Sequence, residues 1–173
     1  MADRGRTRPS RGGGQRLALG RVPAPARARP RSAARSTEEN LRSNTIDAKR
    51  LAIAAATIAD ERKGEEIRVI EVADQLKVAD YFVIVSGTSR THVKALYNEL
   101  HVRLKAAGMT HLRPEGAELG WWVVLDYSDV VVHLLQPEAR EYYDIERLYT
   151  DCPELDWRAE EPVVLPEAAA SGG

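Results

Sequence analysis

The stretch GWWVVLDYSDVVVHLL, residues 120–135, sets two short apolar runs on either side of a polar break. Runs this short, rich in β-branched and aromatic residues and bounded by turn-formers, predict two strands joined as a hairpin around Tyr127 and Ser128. Trp121 and Trp122 are adjacent, so strand alternation sends them to opposite faces. Trp122 then shares a face with Val124 and Asp126, while Trp121 shares the other with Val123 and Leu125. The expectation is that Trp121 enters the core and Trp122 points outward as an interface anchor, the role large aromatics often fill.

Working outward, SRTHVKALYNELHVRLKAAG places Val93, Leu96, Leu100, Leu104 and Ala107 at spacings of three and four, with Ser89 as N-cap and Gly108 as the stop, which predicts a helix. DYFVIVSG, residues 80–87, reads as a strand buried on both faces, and IRVIEV, residues 67–72, as a second. ADQLKV between them reads as one helical turn. NTIDAKRLAIAAATIADERKG carries apolar residues at Leu51, Ala55 and Ile58, an early Asp47, and cationic Arg62 and Lys63 before Gly64, which predicts another helix with a glycine stop. A short strand is expected near Leu112. Pro137 suits the first turn of a last helix, PEAREYYDIERLY. The order predicts an α/β fold: a mixed β-sheet with helices packed on it.

The 173 residues fit one domain with a flank at each end. Residues 1–43 hold eleven arginines against Asp3, Glu38 and Glu39, with scattered prolines and a Gly12–Gly14 run, and too little apolar surface to offset ordering. They read as a disordered Arg/Gly/Pro-rich leader; the functional alternatives are a transit peptide or a basic arm making weak contact with RNA. Residues 44–157 read as the folded domain and 158–173 as a flexible acidic tail. Beyond the leader, fourteen Lys and Arg face twenty-three Asp and Glu. An acidic body speaks against a nucleic-acid-binding face and for a basic protein partner. No apolar run is long enough for a membrane span, and Cys152 is the single cysteine, so no intrachain disulfide forms. The expected compartment is the cytoplasm, or a mitochondrion or plastid if the leader is a transit peptide.

Candidate chemistry is sparse. Asp126 and Asp129 flank the hairpin turn, where aspartate ordinarily serves the turn itself. SGTS, Ser86–Ser89, lies where a strand meets a helix and could hold an anion on backbone amides, though it lacks a P-loop lysine. The four histidines show no metal-ligand spacing, and His133, inside an apolar strand, reads as structural. No catalytic residue, metal or cofactor is expected.

VADYFVIVSGTSRTHVKAL, RPEG, GWWVVLDYSDVVVHLLQPEAREYYDIERLYTD and CPELDW together resemble the ribosomal silencing factor family, also called the Iojap family. The likeness runs from Thr45 to Trp157. Ser128 stands where many members have glycine, and Tyr149 where tryptophan is common. The resemblance implies a nucleotidyltransferase-like fold without the catalytic residues. It further implies a non-enzymatic protein that binds the large ribosomal subunit through its fourteenth protein (uL14), blocks joining with the small subunit, and lowers translation when nutrients are short. Carried over by position, the partner-binding residues are Trp122, Leu125, Asp126 and Tyr127, with Gln136 and Glu138 beyond the hairpin. A homodimer is a further partner reading. The rival functions are a nucleotidyltransferase-type enzyme using SGTS and the hairpin aspartates, and an RNA-associated large-subunit assembly factor acting through the leader.

Overall fold

A computed structural model describes residues 46–166; the expected leader, and residues 167–173 of the expected tail, lie outside them. Helix α1 (Ala48–Glu61) starts where Asp47 accepts a hydrogen bond from the Arg50 amide at 2.8 Å. Its alanine-rich middle, Leu51–Ala56 with Ile58 and Ala59, is buried, since small side chains let the helix lie close against the sheet. The left-handed residue after it is Lys63 (φ 61°), not Gly64 as the sequence suggests. Gly64 serves a different need: a Cβ there would stand 2.7 Å from Val85 Cγ1 and 2.9 Å from the Ala59 carbonyl oxygen.

Strands β1 (Glu65–Glu71), β2 (Tyr81–Ser86), β3 (Trp122–Asp126) and β4 (Val130–Leu135) form one mixed sheet in the order β1-β2-β4-β3. The central pair, β2 and β4, is parallel; β1 pairs with β2, and β3 with β4, antiparallel. Parallel neighbours need a crossover, which here contains helix α2 (Arg90–Ala106), capped by Ser89 and ended at Gly108 (φ 83°). α1 and α2 bury one face of the sheet over Val69, Val83, Val85, Val123, Leu125, Val132 and Leu134. The other face carries Ile70, Phe82, Ile84 and Leu135 beneath a thinner cover.

That cover departs from the expected single helix. Helix α3 (Pro137–Tyr143) stops at Asp144, which is left-handed (φ 42°), and a 3-10 turn (Ile145–Tyr149) follows. Aspartate tolerates this conformation better than most residues. The break lets Glu146 turn back onto Arg140, whose Nε donates to Oε1 at 2.8 Å while Nη1 donates to Ser86 Oγ at 2.8 Å.

Both sheet edges are covered. On β1, Glu154 bridges Ile70, and the Glu71 amide donates to the Pro153 carbonyl at 2.9 Å. On β3, the strand expected near Leu112 is instead a single bridge between Glu115 and Val124, with the Leu112 amide donating to the Asp126 carbonyl at 2.9 Å. Gly116 (φ 78°) permits that approach, because a Cβ would lie 2.0 Å from the Trp122 carbonyl oxygen. ADQLKV is a pair of hydrogen-bonded turns on Val72 rather than a regular helix. Residues 158–166 run back over α1: Arg158 pairs with Asp60 at 3.1 Å, Lys49 with Glu160 at 2.7 Å, and Val163 and Leu165 pack on the main core. No helix among the described residues is long and apolar enough to cross a membrane.

Ser128 sits in the hairpin turn at φ 72°, its amide bonded to Asp126 Oδ1 at 2.8 Å. A non-glycine residue at such a φ carries a steric cost that glycine avoids. Ser128→Gly should therefore raise stability by about 0.5 kcal/mol, partly offset by the looser unfolded chain. Urea denaturation measures this, and a loss of stability would contradict the strain argument.

Candidate partner-binding face

Alternation along β3 sends Val123 and Leu125 into the main core and leaves Trp122, Val124 and Asp126 half-buried on the thinly covered face. Asp126 lies beside Val131 of β4, also half-buried, and Val124 beside His133. The result is a partly open apolar strip along the outer pair of strands, ending in a carboxylate.

Trp122 fills an aromatic row across this face. Tyr142 meets Tyr143 at 4.9 Å between ring centroids, Tyr143 meets Trp122 at 4.8 Å, Trp122 meets His133 at 5.8 Å, His133 meets Phe82 at 4.8 Å, and Phe82 meets Tyr149 at 5.1 Å. The Tyr142–Tyr143, His133–Phe82 and Phe82–Tyr149 pairs are edge-to-face and the two made by Trp122 are tilted, contacts that fix ring orientation as well as burying area. Trp122 Nε1–H donates to His133 Nδ1 at 3.2 Å. An indole can only donate, so a neutral His133 carries its proton on Nε2, which is buried and has no hydrogen-bond partner among the described residues.

Burial holds His133 far below the usual histidine range, to about 4. A histidine with a lowered folded value stabilises the fold above the unfolded value, near 6.5, and that contribution is lost as the pH falls toward 4. At pH 5.5 the loss should be about 1.4 kcal/mol relative to pH 8. His133→Phe should flatten this part of the profile in urea melts. An unchanged acid slope in that variant would show that another group carries it.

The residues expected from the sequence separate into two sets. Trp122, Asp126, Gln136 and Glu138 reach the surface wholly or in part. Leu125 is fully buried and Tyr127 is 6 % exposed, so neither can offer its side chain to a partner; Leu125 packs under α2's side of the sheet, and Tyr127 belongs to the same core. Burial and the nearby Tyr97 push the Tyr127 hydroxyl well above the usual phenol range. Gln136 holds the start of α3: its Nε2 donates to the Gly120 carbonyl at 2.7 Å, and its amide donates to the Trp121 carbonyl at 3.0 Å.

The tryptophan assignment is half corrected. Trp122 does face the open side, yet Trp121 is no core residue: it precedes β3, its carbonyl accepting from the Gln136 amide, and is 40 % exposed. Alternation failed there because Trp121 lies outside the strand. Tyr142 and Tyr143 were not singled out from the sequence, although adjacent tyrosines on a short helix after a tryptophan hairpin were a usable signal.

The SGTS segment is occupied by its own side chains. Ser89 Oγ accepts from the His92 amide at 3.1 Å, and His92 Nδ1 accepts from the Thr88 amide at 3.0 Å. The Gly87 amide donates to the Leu135 carbonyl. Asp126 is likewise engaged by the turn amide of Ser128.

Residues 45–171 match the family model described as "Ribosomal silencing factor during starvation". The chain is 39% identical over 90 residues to a ribosomal silencing factor of Chromobacterium violaceum, covering 52% of this chain and 74% of that one. It is 34% identical over 102 residues to one of Bacillus subtilis, covering 59% and 86%. A mouse protein named for mitochondrial assembly of the ribosomal large subunit is 34% identical over 93 residues, covering 52% of this chain and 41% of its own. A crystal structure of a Chromobacterium violaceum protein superposes with a TM-score of 0.58 at 32% identity, covering 72% of this chain and 98% of that one.

Proposed function

The chain belongs to the ribosomal silencing factor family, and from that premise we propose that it binds the large ribosomal subunit and blocks joining with the small one by occupying the joining surface. Translation regulation goes with the family. The finer proposal is that the contact is made with uL14, through Trp122, Val124 and Asp126 on β3 and Glu138 at the start of α3. Gln136 positions the segment before β3, and Leu125 and Tyr127 hold the hairpin from beneath. The observation that carries this is the half-exposed strip of β3 and β4, apolar along its length and ending at Asp126, with Glu138 exposed on the helix that follows β4. Apolar centre and charged rim are the usual anatomy of a docking surface, and acidic groups suit basic ribosomal proteins.

On this proposal steric occlusion needs affinity and no bond-making step, so the protein acts without catalysis. The rival transferase reading is disfavoured by the Gly87 and Thr88 amides and Asp126 being committed to local hydrogen bonds. The proposed compartment is the one that holds its ribosomes, the cytoplasm in a bacterium. Mixing the protein with purified subunits and following the joined peak in a sucrose gradient tests the mechanism. The joined peak should shrink as protein is added, with the protein migrating beside the free large subunit. An undiminished joined peak at saturating protein would overturn the occlusion proposal, and migration with naked RNA in a strongly salt-dependent manner would favour the assembly-factor alternative.

A further inference from the structure

The segment between α2 and β3 lies along the outer edge of β3, and two histidines tie it to α2. His111 Nδ1 faces the Leu112 carbonyl oxygen. A carbonyl only accepts, so Nδ1 holds the proton and His111 Nε2 is bare. That nitrogen lies 2.8 Å from His101 Nδ1, which must therefore be the donor. His101 Nε2 is left to take up one proton without loss of the bond between the rings. A second proton has only His111 Nε2 to go to; it removes the acceptor and sets two cationic rings against each other.

From this arrangement we propose that His101 and His111 form a proton-operated clasp, which holds the segment over the β3 edge and lets it go, with the core still folded, when the second proton binds. The clasped segment supplies three edge hydrogen bonds: Leu112 amide to Asp126 carbonyl at 2.9 Å, Glu115 amide to Val124 carbonyl at 3.2 Å, and Val124 amide to Glu115 carbonyl at 3.0 Å. The His111 ring also stands edge-on to Tyr127 at 5.4 Å, so release uncovers the hairpin turn from the side opposite the aromatic row.

The surroundings do not neutralise the charge. Lys105 faces the pair from α2, Tyr97 from one turn earlier at 6.0 Å from the His101 ring, and Tyr127 from the hairpin. Glu99 and Arg103 of α2 turn instead toward α1, pairing with Arg62 and Glu61. The Asp126 carboxylate is engaged by the Ser128 amide. Desolvation first, then His111 and Lys105, hold His101 below the ordinary histidine range. The released segment thus binds more protons than the clasped one, so the clasp is held above about pH 6.5 and weakens as the pH falls.

Amide hydrogen exchange on the full-length chain at pH 7, 6 and 5, corrected for intrinsic rates, tests the clasp. The core amides of Val83 and Val132 report global unfolding, which releases the clasp as well, so a segment that opens with the core still folded should exchange faster than they do at every pH. Protection at Leu112, Glu115 and Val124 should fall about tenfold per pH unit, as expected when opening takes up one further proton. His111→Gln keeps an acceptor for His101 Nδ1–H and cannot be protonated, so its segment should stay protected at pH 5. Segment amides that exchange no faster than the core, and so only through global unfolding, or the same pH dependence in His111→Gln, would overturn the proposal. If that substitution loosens the segment already at pH 7, imidazole nitrogen shifts in the unaltered chain decide. A His111 Nδ1–H tautomer with two stepwise protonations supports the clasp, and two rings titrating independently at ordinary values refute it.

Discussion

Arg140→Met should destabilise the fold by about 3–5 kcal/mol, because removing one partner of a buried ion pair leaves the other charge uncompensated. Arg140 is 8 % exposed and reaches three elements at once: Glu146 in the 3-10 turn, Ser86 at the end of β2, and, at 3.8 Å, Glu66 of β1. The Glu146 side chain is itself largely buried, and the neighbouring Arg68, at 3.8 Å, is too exposed to replace the lost guanidinium fully. Its partial compensation argues for the lower end of the range. Glu146→Leu alone should cost a comparable amount, whereas the two changes together should recover much of the loss, since an apolar pair leaves no stranded charge. Chemical denaturation of the two single variants and the double variant checks this; purely additive losses would show that the pair acts through packing rather than charge.

Trp122→Ala should weaken binding to the isolated ribosomal protein at least about thirtyfold, or 2 kcal/mol, the usual effect of truncating an aromatic anchor. Its cost in stability should stay below the about 3–5 kcal/mol of a fully buried tryptophan, because the ring is half-exposed and leaves Tyr143 and His133 able to close in. Val124→Arg separates docking from folding: it places a charge on the same half-exposed face, beside His133 but leaving Trp122 and the tyrosines in place, so binding should fall far more than melting. Trp121→Ala should alter stability by less than about 1 kcal/mol, as for other exposed positions. A folded Trp122→Ala protein that titrates normally against the ribosomal protein would remove this face from the proposal.

Much of this was legible along the chain. Helix α2 was written in its spacing of Val93, Leu96, Leu100 and Leu104, in its Ser89 cap and in its Gly108 stop. The hairpin was legible in two apolar runs of the right length. What escaped the sequence depends on conformations or contacts that no local pattern encodes. Lys63 and Asp144 adopt left-handed backbones that their neighbours impose. Breaking the last helix at Asp144 is what brings Glu146 to Arg140, six positions apart in sequence. At the candidate face, alternation correctly assigned Trp122, Val124 and Asp126 to one side, but failed for Trp121, which the strand does not include. Leu125 and Tyr127 were carried over by position, and position alone does not say which side of a strand meets water. The bond between His101 and His111 joins a helix to an irregular segment, and no spacing rule predicts it.

The parallel pairing of β2 with β4 bears on how quickly the chain can find its structure. Tyr81 aligns with Val130 and Ser86 with Leu135, so every partner in the middle of the sheet is about fifty residues away. Helix α2 and the β3–β4 hairpin are local and can form within microseconds, but neither completes the sheet. The ring closure that brings β2 beside β4 carries its entropic cost before any central hydrogen bond offsets it, placing the rate-limiting barrier at that encounter. Until then VVVHLL and YFVIVS are two exposed, strongly β-prone runs in a newly made chain, and they are where association between nascent copies should begin.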